Sequence, residues 1–254
     1  NTFLVLFALL SISLSAQEYF QQEVNYIIDV ELNDEDHTLK GMEYIDYTNN
    51  APNDLDFLWF HIWPNAYKDN TTALAKQKLE DGSTSLHYAT EQERGFINGL
   101  NFKVNGEILR WDYHPEHIDI CKLILNKPLK AGQSIRISTP FFVKIPDAKF
   151  SRLGHVDQSY MITQWYPKPA VYDKDGWHPM PYLDQGEFYS EFGSFDVSIT
   201  LPSNYTVGAT GDLQNKGEIK RLNQLAKVTD TITKFSNDLS FPLSDLTTKT
   251  LRYT

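Results

Sequence analysis

The chain has 254 residues, 41% of them hydrophobic and 22% charged, which is enough apolar material for one large or two small folded domains. Its formal net charge of -10 is spread along the sequence with no basic face, which excludes a nucleic-acid binder. Cys121 is the single cysteine, so neither an intrachain disulfide nor a cysteine-based zinc site can form.

Residues 2–14 (TFLVLFALLSISL) are almost wholly apolar or hydroxylated. The run is too short to span a bilayer and fits the apolar region of a secretory signal, with cleavage after Ala16. No basic residue or initiator Met precedes it, as expected if the sequence starts inside the leader. The expectation is a signal peptide over 1–16, a folded domain over 17–254, an extracytoplasmic (secreted or periplasmic) location and no integral membrane span.

From Tyr26 to Leu32 apolar and polar residues alternate, 33–36 is a turn cluster, and 39–48 resumes the extended pattern, a hairpin with one wet face. After the break at 49–53, residues 55–63 (LDFLWFHIW) are too apolar for an edge and predict a buried strand. Residues 72–80 (TALAKQKLE) carry helix formers behind a Thr cap and predict a short surface helix. Extended pattern returns over 96–104, Asn105-Gly106 is a strong hairpin signal, and 108–113 is the return strand. Further strands are expected at 118–125 and 134–143, separated by Lys127-Pro128 and Ala131-Gly132.

The centre of the chain, 159–195, is dense in rings (Trp165, Tyr166, Tyr172, Trp177, Tyr182, Phe188) and broken by Pro167, Pro169, Pro179 and Pro181. Prolines exclude a helix and demote a central strand, so the segment reads as one strand, 160–165, and a long ordered loop returning near Phe192. Such loops are usually functional, and these rings must pack on their own sheet, on another domain or on a ligand. Residues 192–201 and 205–209 alternate again, 218–227 is a helix exposed on one side, and 249–253 is a last strand. The pattern is mainly β, a sandwich-like antiparallel domain with one or two short surface helices.

Little of the chemistry-bearing sequence assembles into a known signature. His114-Pro115-Glu116-His117 has two histidines three apart, but a metalloprotease helix needs His-Glu-x-x-His, and Pro115 makes this a turn with solvated histidines. His61 falls in the buried strand, where it reads as a hydrogen-bonded core residue. Cys121, in an alternating apolar run, reads as an inert buried thiol. Gly-x-Ser-x-Gly, a P-loop and a Rossmann glycine pattern are absent, and acid pairs such as Asp173/Asp175 and Glu187/Glu191 are common on any acidic surface. No catalytic residue and no metal ligand is assigned.

Several stretches, in order, resemble the N-terminal domain of the aminopeptidase-N-like zinc metallopeptidases (gluzincins): LDFLWFHIWPNAY at 55–67, TQWYPKPAVYDKDGWHP at 163–179, FDVSITLPSNYTVGATGDLQN at 195–215 and KTLRYT at 249–254. The resemblance covers about 24–254 and implies a saddle-shaped β domain preceding a zinc-binding catalytic domain. In that family a Thr-Gln-x-Glu or Thr-Gln-x-Gln segment helps hold the free α-amine of the substrate. Thr163-Gln164-Trp165-Tyr166 looks like that segment, which implies substrate-binding roles for Gln164 and Tyr166. Tyr166 stands where the family has Glu or Gln, so it brings a phenol and no charge. The resemblance further implies zinc bound by a catalytic domain in cis, peptide N-termini as partners, and no activity for these residues alone. The alternative from composition is a stand-alone β-sandwich binding module using Trp165 and Trp177 as a stacking platform for sugar or peptide.

Overall fold

In the computed structural model the described residues are 19–234 and 244–254, so the leader expected over 1–16 lies outside them. The opening alternation forms a hairpin of two 11-residue strands, β1 (Glu23–Asn33) and β2 (Thr38–Thr48), paired from Glu23 opposite Thr48 to Asn33 opposite Thr38. Asn33 shapes its turn by accepting the amides of Glu35 and Asp36 at 3.0 and 2.9 Å. The apolar strand β3 (Leu55–His61) ends two residues before the sequence pattern suggests, because Trp63–Tyr67 form a 3-10 turn with Pro64 at its start. Helix α1 (Ala73–Glu80) is capped by Thr72, whose hydroxyl accepts from the Ala75 amide at 3.2 Å.

The stretch expected as two strands around Asn105-Gly106 is cut into four short ones: β4 (Phe96–Asn98), β5 (Lys103–Val104), β6 (Glu107–Ile108) and β7 (Trp111–Tyr113). Asn105 and Gly106 both adopt positive φ, 52° and 85°, as a primed hairpin turn requires. Strand β8 (Ile120–Leu129) runs through Pro128 rather than stopping before it. An irregularity in its pairing with β3, between Leu55 and Phe57, gives the proline a place with no ladder bond to lose. Strand β9 (Ser134–Lys144) is as expected, one residue longer.

In the central segment the expected strand over 160–165 is only β11 (Ser159–Met161), paired with β10 (Gly154–Val156). Beyond it come three two-residue strands, β12 (Lys168–Pro169), β13 (Tyr172–Asp173) and β14 (Gly176–Trp177). Strand β15 (Phe195–Pro202) follows, residues 205–209 form no strand, and helix α2 (Lys216–Thr229) has no buried residue. Strand β16 (Thr248–Tyr253) ends the chain's described structure.

Two sheets result. The larger runs β16-β15-β1-β2-β9-β5-β6, with β4 also on β9, and the smaller runs β12-β3-β8-β7. Strand pairs are antiparallel except β1 with β15, which lie parallel from Tyr26 opposite Phe195 to Glu31 opposite Thr200. Ile28, Ile45 and Phe141 from the larger sheet and Leu58, Phe60 and Leu123 from the smaller share one buried cluster, which makes the mainly β domain sandwich-like.

Gly41 is where the sheet admits no side chain. It lies opposite Phe141, and a Cβ there would sit 2.2 Å from the tip of the Phe141 ring. Gly41→Ala is expected to cost about 1–3 kcal/mol through this overpacking, read as a lower urea midpoint with unchanged slope. A variant as stable as the parent chain would mean the ring has somewhere else to go.

Candidate functional site

Most rings of the central segment turn inward, while Tyr189 and Phe192 stay exposed. Trp165 packs on Phe141 with centroids 5.8 Å apart, Tyr166 meets Tyr26 edge-on at 5.5 Å, and Phe195 stacks on Tyr26 at 4.6 Å and meets Tyr166 edge-on at 5.9 Å. Trp177 lies 5.9 Å from Phe57 of the smaller sheet and 4.8 Å from Tyr172. Tyr182 is fully buried. The loop therefore covers its own sandwich, and the two tryptophans of the stacking-platform alternative are half-buried in it.

Polar bonds fix the loop where its backbone cannot join a ladder. The Trp63 indole donates to the Met180 carbonyl at 3.1 Å, and the Tyr182 amide donates to Asp119 Oδ2 at 2.7 Å. From α1, Gln77 accepts the amides of Asp184 and Gln185, while Lys78 pairs with Asp184 at 3.1 Å.

Gln164 and Tyr166 sit at the bend where this loop leaves β11. Gln164 holds a left-handed backbone, φ 54°, costly for a residue with a Cβ, and its side chain is half-buried. Its Oε1 accepts a short hydrogen bond from Lys168 Nζ. Tyr166 is half-buried under Tyr26 and Phe195, and burial, then the nearby Glu43, push its phenol well above the usual range. The structure thus places the two residues together on one bend, the first reaching Lys168 and the second reaching inward.

Three titratable residues close to this bend, or on the strands beneath it, escaped assignment from sequence. Lys168 is 4% exposed, its ammonium lies 4.0 Å above the Trp63 ring, and burial lowers its pKa to about 7. His61, paired with Lys168 through the backbone, is fully buried and stacks on Trp63 at 4.4 Å. Burial, then Lys168, lower it to about 3. Sequence reads a hydrogen-bonded core histidine; among the described residues neither ring nitrogen makes a well-formed hydrogen bond, and the His178 backbone only partly offsets the lowering. Glu43 is also fully buried, on the inner face of β2 between Ile28 and Thr139, with neither carboxylate oxygen hydrogen-bonded among the described residues. Burial pushes its carboxyl well above the ordinary carboxylate range. Glu43 was detectable in principle, since it occupies the apolar phase of a period-two strand alongside Leu39, Ile45 and Tyr47.

The remaining candidates resolve separately. His114 and His117 stack 5.0 Å apart in the turn before β8. Cys121 is buried, which raises its thiol far above its ordinary value. Among the described residues no group of three or more His, Cys, Asp or Glu is arranged to hold a metal ion, so these residues do not fit a zinc site. A cavity of about 290 Å³ is lined by Phe20, Val171, Asp173, Tyr189, Glu191 and Phe192 among others, and neither Gln164 nor Tyr166 reaches it. In its wall, burial pulls Asp173 upward, but hydrogen bonds from His178 (2.8 Å), the Asp175 amide and Tyr189 (3.0 Å) outweigh it and hold the carboxyl low. Burial raises Glu191 to about 7. Among the described residues no helix is long and apolar enough to cross a membrane.

No protein-family model and no curated protein matches the chain. Among solved structures it is similar to the M1 zinc metallopeptidase from Deinococcus radiodurans, at 13% identity and TM-score 0.42, over 92% of this chain and 38% of that one. A mutant of that peptidase bound to a Tyr-Ser-Ala substrate gives 14% identity and TM-score 0.44, over 93% and 39%. A two-domain M1 zinc metallopeptidase mutant bound to L-arginine gives 12% and 0.41, over 92% and 38%. The chain spans about two fifths of the length of these proteins.

The state of Glu43 has a measurable consequence. The folded protein keeps a proton that the unfolded chain releases above pH 4.5, so stability falls as pH rises from there toward the folded pKa. The slope is about 1.4 kcal/mol per pH unit for one fully linked proton. Glu43→Gln keeps the shape without the proton, and its urea-derived stability should be flatter than the parent's between about pH 5 and pH 8 and higher at the alkaline end. Parallel curves for the two proteins would mean Glu43 is ionised in the fold.

Proposed function

We propose that residues 17–254 form the substrate-amine-side β domain of a secreted or periplasmic zinc metallopeptidase of aminopeptidase type, delivered by a leader over 1–16. The observation that carries this reading is Gln164: a strained, half-buried polar residue at the mouth of a loop whose Trp165, Tyr166, Trp177 and Tyr182 rings are spent on packing. Backbone strain of this kind persists where the surroundings over-determine it, and such positions cluster at ligand contacts. The sequence around it, Thr163-Gln164-Trp165-Tyr166, opens one of the four stretches that together carry the family resemblance.

In this reading a catalytic domain in cis would hold the zinc, which would supply the Lewis-acid chemistry of peptide-bond hydrolysis. The present residues bind and orient. Gln164 meets the N-terminus of the peptide with one face of its carboxamide. Tyr166, kept protonated by burial and the Glu43 carboxyl, has a single phenol to offer and no charge. Trp165, anchored on Phe141, holds both in register, because a binding group mounted on a packed element is better placed than one on a free loop.

Two measurements test this. The gene should continue past Thr254 into a His-Glu-x-x-His segment, and a stop codon there overturns the reading. In the full-length protein, Gln164→Ala should weaken use of peptides with a free N-terminal amine by about 10- to 100-fold in kcat/KM, the worth of a hydrogen bond to a charged group, with zinc content unchanged. Unchanged kinetics would remove Gln164 from the site.

A further inference from the structure

Lys168 is held by both neighbours and by its strand. Prolines flank it on either side, and its backbone pairs with His61 in the smaller sheet, so its side chain has one direction to take. That direction lies along the Trp63 face, 4.0 Å from the ring centroid and 5.9 Å from the ring of Tyr166. No carboxylate forms an ion pair with it among the described residues, and its hydrogen bond goes to Gln164 Oε1. The groups around it offer no compensating charge. His61 on β3 is neutral, Tyr166 is a protonated phenol, and burial pushes Glu43 on β2 toward its uncharged acid form.

An ammonium has hydrogens to donate and no lone pair to accept with. Its contact therefore decides which end of the Gln164 carboxamide faces inward: the oxygen is turned to Lys168 and the NH2 is turned away. That NH2 makes no hydrogen bond to the protein among the described residues. The left-handed backbone at Gln164 and the anchoring of Trp165 on Phe141 leave the side chain little other freedom.

We propose that Lys168 selects the face Gln164 offers a ligand. While Lys168 is charged, the amide oxygen is committed inward and the NH2 donor is presented to carbonyl or carboxylate acceptors. Once Lys168 is neutral, its amine has a lone pair and can accept from the Gln164 NH2, so the carboxamide can turn its oxygen outward to accept from an ammonium, with no neighbouring cation to repel it.

The ligand named here rests on the peptidase reading, but the coupling between Lys168 and Gln164 does not. Because burial brings the Lys168 pKa to about 7, the exchange falls near neutrality. A peptide α-amine loses its own charge near about pH 8. Ammonium recognition at Gln164 is thereby confined to a window of roughly one pH unit, between the loss of the inner charge and the loss of the ligand's.

The test is 15N NMR of the full-length protein, with the Gln164 NH2 signals assigned by their loss in Gln164→Ala. They should titrate with a midpoint shared with Lys168 Nζ, and that titration should vanish in Lys168→Met. Lys168→Arg, always charged, should freeze the signals at their acid-side positions, and it stands in should the Met variant fail to fold. Gln164 signals that ignore pH in the parent protein, or titrate alike in parent and Lys168→Met, overturn the proposal.

Leucinamide is the probe for the ligand. At about pH 6 only about a tenth of Lys168 is neutral, so Lys168→Met should bind leucinamide ~10-fold more tightly than the parent protein there and equally well at about pH 8. N-acetylated leucinamide, which lacks the ammonium, should show no such gain, and a gain of the same size for both probes overturns the proposal. If Gln164 titrates with Lys168 while leucinamide binds to neither protein, the coupling stands and the peptidase reading falls.

Discussion

A segment with four prolines and a dense set of rings cannot earn its place through backbone ladders, so side chains must hold it, and the rest of this domain is arranged around that fact. Between β11 and β15 the regular pairing amounts to three two-residue strands. What fixes the path instead is a set of long-range contacts: Trp63 to the Met180 carbonyl, Asp119 to the Tyr182 amide, and Gln77 to successive amides at Asp184 and Gln185. The rings then close over the sandwich. Because the segment returns across the fold rather than through a tight turn, β15 arrives parallel to β1, with Phe195 stacked on Tyr26 where the two strands begin to pair.

Covering the sandwich in this way strands polar groups beneath the cover. Glu43, His61 and Lys168 lose water without gaining an opposite charge, and an unpaired ion in an apolar interior is far more costly than a neutral group. The protein responds by shifting proton equilibria instead of forming ion pairs. Glu43 is pushed toward its acid form, His61 stays neutral down to about pH 3, and Lys168 is brought to about 7. Trp63 serves two of them at once, with His61 stacked on it and the Lys168 ammonium above it. The aromatic face supplies the remaining attraction to a cation that has no carboxylate partner.

How much of this could be read in advance divides along physical lines. Period-two alternation recovered the β1–β2 hairpin, β9 and the mainly β class, because one wet and one dry face leave an imprint on every residue. The Thr72 cap and Asn105-Gly106 were read from local chemistry that needs no tertiary context. Pro128 misled, since a strand irregularity set by pairing with β3 absorbed it, and 205–209 alternates without finding a partner strand. At the candidate site Gln164 and Tyr166 were named from a resemblance. Lys168 and its environment were out of reach, because the burial of a lysine between two prolines depends on residues 63 and 61, more than a hundred positions away. Glu43 carried a signal, an acid on the dry phase of a strand, that composition alone does not flag.

The three buried ionisable groups are not equivalent in what their protons can do. Glu43 and His61 are wholly enclosed and, among the described residues, have no hydrogen bond leading outward, so gaining or losing a proton there acts chiefly on the free energy of the fold. Lys168 differs in one bond. Its hydrogen goes to Gln164, whose side chain is half-exposed and whose backbone is already strained into place, so a change of charge in the interior alters which atom stands at the surface. A titration can reach a ligand only through such a contact, and of the three Lys168 alone has both a pKa brought near neutrality and a hydrogen bond leading outward.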